Sequence, residues 1–287
     1  MSIKRILVPL RGVLGNMGPL EAALELARLF EGHVEALYFR PDVRATLSRV
    51  MHGESAAVGD EFFREVIANA ERVAREARAR FEGVLATHGV ALGDDPAAPQ
   101  RPTATWREAP EYDVEALAHH SALIDLILVG RPGSPAEAAP GMLDAALFNT
   151  GRPVLVLPPA PTTRFTGTVL IGWNPTLQAE RALIAALPFL RLAERSIVLA
   201  VATGAKRGPG AADAARYLAW HGIRAEAHEV EPGDRQVGEI LLTQARTMEA
   251  GLLVMGAYSH SRLREMILGG VTRHVLEQAE LPVLMAH

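Results

Sequence analysis

Cysteine is absent from all 287 residues, which excludes disulfide staples, Cys-ligated zinc, iron–sulfur clusters and thiol chemistry. Aromatic residues make up only 5%, too few for the stacking platforms that hold single-stranded nucleic acid. Long apolar runs are missing too. The longest uncharged ones, at 196–205 and 251–259, are about ten residues, against the ~18–20 that span a bilayer. Arg11 interrupts the apolar run that follows Lys4 and Arg5, so no signal-peptide core forms there. Positive charge is not in excess: the formal net charge is -4, which leaves no overall basic footprint for DNA or an anionic membrane. Together these absences predict a soluble, cytoplasmic protein with neither a nucleic acid nor a membrane as partner.

What is present is ordinary globular material, 49% hydrophobic and 22% charged, which argues against disorder and low-complexity architectures. The length suits two domains, at ~100–200 residues each. An internal repeat supports that division. Ile6-Leu7-Val8-Pro9-Leu10-Arg11-Gly12 is echoed by Val169-Leu170-Ile171-Gly172-Trp173-Asn174-Pro175. Leu126-Ile127-Leu128-Val129-Gly130 is echoed by Leu252-Leu253-Val254-Met255-Gly256, and Arg152-Pro153-Val154-Leu155-Val156 by Leu281-Pro282-Val283-Leu284-Met285. Three matches in one order predict two copies of a single domain, 1–160 and 161–287. They join near Pro158-Pro159-Ala160-Pro161, a stiff cluster that continues neither strand nor helix.

The second copy alternates strand and helix patterns. Strands are expected at 168–173, 196–202, 223–230, 252–256 and 282–286, and helices at 177–190, 209–221, 235–248 and 263–278. Short apolar strands separated by helices point to a parallel sheet covered on both faces. The first copy follows the same plan, with an insertion holding a long helix over 60–85 and a Pro-rich loop over 94–102. In such sheets ligands sit at the carboxyl ends of the strands, where chain order reverses.

After the fourth strand of the second copy, two small-residue turns, Gly256 to Ser259 and Gly269-Gly270, bracket a nine-residue segment. The second turn opens a helix. One reading is a phosphate cradle: glycine lets the backbone approach an anion, and a helix N-terminus supplies unpaired N–H groups and about half a positive charge. Thr272 would add a hydroxyl, and His260, Arg262 and Arg273 positive charge. The other reading is that Gly256 merely ends a strand and Gly269-Gly270 breaks a helix. Spacing alone favours the second, since isolated glycine punctuation is common.

The run from Gly256 to Thr272, followed by Leu281-Pro282-Val283-Leu284, resembles the signature of the universal stress protein family. Its nucleotide-binding members carry G-x-x-G, nine residues, then G-[ST]; other members bind no nucleotide. The repeat and the closing Pro-Val-Leu strand are similar to tandem members. The resemblance implies an α/β fold of two tandem doubly wound domains, each a five-stranded parallel sheet with helices on both faces (universal stress protein / adenine nucleotide alpha hydrolase-like). It implies a stress-response protein binding an adenine nucleotide, ATP with Mg2+, in the C-terminal domain, as sensor or regulator, with slow hydrolysis at most. It also implies a homodimer, and pairing of the last strands, Val154 to Leu157 with Val283 to Met285, within the chain.

Carried over by position, the resemblance places Gly256 at the first motif glycine and Ser259 where the second is expected, with the adjoining Met255 and His260 also in the nucleotide site. Gly269 takes the third, Gly270 stands where Ser or Thr is usual, and Val271 and Thr272 enter the helix. Asn174 holds the place of an Asp after the first strand, and Val201 the adenine-contacting position. Ser259, Gly270 and Asn174 depart from the pattern, and those departures motivate a non-nucleotide interaction scaffold as the alternative, with a weak ATPase as a third reading.

The first copy departs further. Gly130 and Gly133 keep the G-x-x-G spacing, but 23 positions separate Gly130 from Pro153, against 26 between Gly256 and Pro282. Arg11 stands in the Asp position. This half reads as a degenerate, mainly structural copy, or else as a site for a different anion built on Arg11 and the insertion. No catalytic residue and no metal ligand is expected. Adjacent His119 and His120 point about 100° apart on a helix, Asp94-Asp95 reads as a polar turn, and Ser259-His260-Ser261 lacks a nucleophile-elbow context. A P-loop lysine is missing.

Overall fold

The computed structural model describes residues 2–12, 17–40, 60–97, 102–109, 114–131, 141–159, 164–204, 208–257 and 270–287. The first half contains β1 (Arg5–Arg11), α1 (Gly18–Phe30), β2 (His33–Phe39), α2 (Asp60–Thr87), β3 (Ala91–Leu92), β4 (Thr103–Ala109), α3 (Val114–His120), β5 (Leu126–Gly130), α4 (Met142–Asn149) and β6 (Val154–Leu157). The second contains β7 (Thr168–Trp173), α5 (Leu177–Leu190), β8 (Arg195–Val201), α6 (Ala211–Trp220), β9 (Ala225–Val230), α7 (Val237–Thr247), β10 (Ala250–Gly256), α8 (Gly270–Gln278) and β11 (Val283–Ala286). The predicted strands and helices appear where the apolar periodicity put them. The exception is the helix expected from 263, of which 263–269 lies outside the described residues.

Helix boundaries follow local chemistry. Thr176, in extended backbone, caps α5 by accepting from the Ala179 N–H, while the Asp213 carboxylate accepts from the Gly210 N–H at the start of α6 at 2.9 Å. At the end of α1 the Lys4 ammonium donates to the Phe30 carbonyl at 2.6 Å, a cation on the negative end of the helix.

All strands lie in one sheet, ordered β3-β4-β2-β1-β5-β6-β11-β10-β7-β8-β9. The five-stranded parallel sheet expected of each half is present, the two are continuous with one another, and the first adds a sixth strand, the two-residue β3, on its outer edge. Pairing is parallel within each half, and the join is antiparallel, with Val156 opposite Val283, Leu155 opposite Leu284 and Val154 opposite Met285. Since Leu155 and Leu284 are equivalent in the repeat, the local two-fold axis passes through that pair. The expected pairing of the last strands within the chain is therefore present.

Alternation along the strands sends side chains to two cores. Val169, Ile171 and Trp173 of β7 join α1, α2, α5 and α6 on one face; Leu170 joins α3, α4, α7 and α8 on the other. Each core runs through both halves. On the first face Phe30 of α1 meets Phe189 of α5 edge-on, ring centroids 5.4 Å apart, and both rings are buried. Phe189→Ala is therefore expected to cost about 3–5 kcal/mol. Calorimetry of the wild-type chain is expected to show one cooperative transition, with matching van 't Hoff and calorimetric enthalpies; two separable transitions would mean that the halves unfold independently.

Candidate functional site

In the second half the chain leaves β7 towards α5 on one face and β10 towards α8 on the other, and β7 and β10 are neighbours. Their carboxyl ends form the topological switch point, the crevice where such sheets take ligands. Met255 pairs with Gly172, which brings Asn174 and Gly256 to one rim; Val201, at the end of β8, lies one strand further along, half-buried. Gly270, Val271 and Thr272 form the first turn of α8, with Thr272 buried. Ser259, His260, Arg262 and Gly269 lie outside the described residues, as does Tyr258.

Asn174 is oriented by its neighbours. The Thr176 hydroxyl donates to Asn174 Oδ1 at 2.8 Å, and Thr176 in turn caps α5. With its oxygen so engaged, Asn174 offers amide N–H donors to a ligand. An Asp in this position offers acceptors. The substitution therefore turns an acceptor into a donor suited to a ribose hydroxyl oxygen or a phosphate oxygen.

Gly256 has a packing role the motif does not reveal. A Cβ built there would lie 2.6 Å from the Ala179 amide nitrogen and 2.8 Å from the Gln178 carbonyl carbon. The glycine lets the first turn of α5 rest directly on the end of β10. Gly270 is the opposite case, for a Cβ added there would meet no atom of the described residues within 4 Å.

The two ends of α8 are unusual in charge. The described first turns of α1, α3, α4, α5, α6 and α7 each carry an acidic residue; that of α8 carries none. Its positive end is thus left without a carboxylate of its own. Arg273, a candidate cation, instead donates along the helix to Glu277 at 2.7 Å, and that bond raises its already high pKa. The indole of Trp173 donates to the Pro209 carbonyl at 2.9 Å, tying the chain after β8 to the end of β7.

The equivalent places in the first half are filled from within. Leu10 pairs with Tyr38 as Trp173 pairs with Ala200, so the large residue has moved from the first strand to the second. Tyr38 stacks on Trp106 at 5.1 Å, and Trp106 meets Phe81 of α2 at 5.3 Å, so the inserted helix supplies part of the filling. Burial, and then the nearby Glu108 carboxylate, raise the Tyr38 phenol above its usual pKa. Phe39, fully buried, takes the place of Val201. The left-handed Gly141, φ 76°, precedes α4. Pro132, Gly133, Pro135 and Pro140 lie outside the described residues.

Sequence reading missed Glu35. This carboxylate on β2 is 2% exposed and is held by Arg5 at 3.0 Å and Arg107 at 3.1 Å, with His120 3.7 Å away. A lone Glu inside an apolar strand was the available signal. Asp125 accepts the backbone N–H groups of Lys4 and Arg5 at 2.7 and 2.9 Å, and Asp95 accepts from Ala97 N–H in a local turn at 2.8 Å. On β8 and β9, Arg195, and then His228, hydrogen-bond Glu226 and push its pKa down to about 2.

Residues 176–287 match the model of the universal stress protein family. In fold, the whole chain is similar to a universal stress protein from Archaeoglobus fulgidus, at 15% identity and a TM-score of 0.63, over 98% of this chain and 95% of that one. It is similar also to a functionally unknown protein from Pseudomonas aeruginosa, at 16% identity and a TM-score of 0.53, over 98% and 92%. No curated protein matches by sequence. The fold likeness extends over both halves.

If close packing rather than phosphate approach is what demands glycine at 256, Gly256→Ala is expected to destabilise the ligand-free protein. Overpacking of this kind costs about 1–3 kcal/mol, read as a lowered Tm by calorimetry. An unchanged Tm would return that glycine to a purely ligand-facing role.

Proposed function

From the premise that residues 176–287 form a universal stress protein domain, we propose that this domain binds an adenine nucleotide, ATP or a close relative, as a sensor or regulator in the cytoplasmic stress response. The carrying observation is the rim at the switch point between β7 and β10, with Asn174 and Gly256 on it and the first turn of α8 nearby free of acidic residues. A helix start without its own carboxylate suits a phosphate. Among the described residues nothing crowds Gly270. Adenine would lie towards Val201, and Asn174 would donate to ribose or phosphate oxygen. Mg2+ would ride on phosphate oxygens and water, since an amide replaces the carboxylate at 174. Hydrolysis would be slow, in the absence of a P-loop lysine. Two chains would associate as a homodimer. Among the described residues no helix is long and apolar enough to cross a membrane.

The packing role of Gly256 favours one competing reading, an interaction scaffold that retains the motif for structural reasons. Gly270→Asp separates the two. An added carboxylate at the first helical position complements the macrodipole by about 0.3–1 kcal/mol and meets no steric obstacle among the described residues, so the ligand-free Tm is expected to hold or rise slightly. The same charge would repel phosphate. Wild-type protein at ATP concentrations 100 times Kd is expected to gain about 2.7 kcal/mol, and the variant to lose that gain. Thermal shift with ATP, ADP and AMP, with and without magnesium, reads both effects. No wild-type shift at millimolar nucleotide would overturn the nucleotide reading.

A further inference from the structure

We infer that the first half serves as a brace for the nucleotide-binding helix of the second, with Arg131 as the positioning residue for α8; the inference rests on the nucleotide reading above. Arg131 and Ala257 are equivalent in the repeat. Each follows the fourth strand of its copy, and each donates its backbone N–H to the last strand, Arg131 to Leu157 at 2.8 Å and Ala257 to Ala286 at 2.9 Å. Their side chains differ. Arg131 reaches across the join, and its guanidinium Nη1 donates to the carbonyls of Glu277 at 3.1 Å and Ala279 at 3.2 Å. These lie at the carboxyl end of α8, where carbonyls lack partners within the helix and the macrodipole is negative.

The last turn of α8 has no basic residue of its own, just as its first turn has no acidic one. The cation that complements its carboxyl end comes from the first half. The anion that would complement its amino end is the nucleotide phosphate. Helix α8 is therefore held between a fixed arginine and a ligand.

A second contact reaches the strand that precedes α8. Phe148 of α4 meets the His287 ring edge-on at 4.7 Å. His287 Nδ1 donates to the Ala257 carbonyl at 3.1 Å, directly after Gly256. Arg181 of α5 secures His287 through its backbone carbonyl at 2.7 Å. The first half thus bears on Ala257 and on the far end of α8, which gives the degenerate copy a task in place of a site of its own.

The test compares wild type with Arg131→Gln, which keeps amide donors without charge, Arg131→Ala, which removes both, and Arg131→Lys, which keeps charge. Hydrogen exchange is followed at 273–279 in nucleotide-free protein, with α1 as the internal control, and ATP affinity is measured by calorimetry. Exchange in α8 is expected to quicken by about five- to tenfold in Arg131→Ala while α1 is unchanged. ATP is expected to bind about fivefold more weakly, with Arg131→Lys restoring most of both. Unchanged exchange in α8 for both the Ala and Gln variants overturns the brace. Quickened exchange with unaltered ATP affinity overturns its coupling to the site. Absence of ATP binding by the wild type removes the nucleotide reading and the coupling with it, while the exchange measurement still decides whether Arg131 holds α8.

Discussion

The antiparallel ladder between β6 and β11 is the constraint on which the rest of the architecture depends. Within each half every pairing is parallel, and the fifth strand of each copy would be an exposed edge if that half stood alone, a template for unwanted association. Joining the two edges removes both at once. Because the join is a local two-fold with Leu155 opposite Leu284, equivalent residues of the two strands enter the same core. Both leucines belong to the core that α1, α2, α5 and α6 cover, while Val154, Val156, Val283 and Met285 belong to the other.

That symmetry is geometric, and the copies have diverged in chemistry around it. In the second half the rim of the switch point keeps a small residue, Val201, beside Asn174. In the first, Phe39 and Arg11 occupy those places, and Tyr38, Trp106 and the inserted α2 fill the neighbouring volume. The exchange of Leu10 with Tyr38 for Trp173 with Ala200 keeps total volume similar while moving bulk from one strand to the next, the kind of compensated change that a packed core accepts. At the end of β5, Arg131 turns towards α8.

Much of this was legible beforehand, for identifiable reasons. Continuous apolar runs such as Leu126 to Gly130 and Leu252 to Gly256 announce buried parallel strands, because only a sheet covered on both faces can hide every side chain of such a run. The place of Asn174 after β7 is a local feature. Gly256 was visible as a motif glycine, yet its contact with Gln178 and Ala179 was not, because α5 reaches it only through the tertiary fold. Glu35 was missed, because nothing local indicates that Arg5, Arg107 and His120 surround it. The two-residue β3 carries too little pattern to register at all.

By itself the sequence determined the alternation of strand and helix, the duplication and the family to which residues 176–287 belong, because apolar periodicity, turn chemistry and motif spacing are properties of neighbouring residues. Tertiary structure decided what those residues do together. It set the single continuous sheet, the demand for glycine at 256 and the reach of Arg131 across the join. Each of these depends on atoms brought within a few ångströms by chain segments far apart in sequence, Arg131 and Ala279 among them, and no local pattern encodes such a distance.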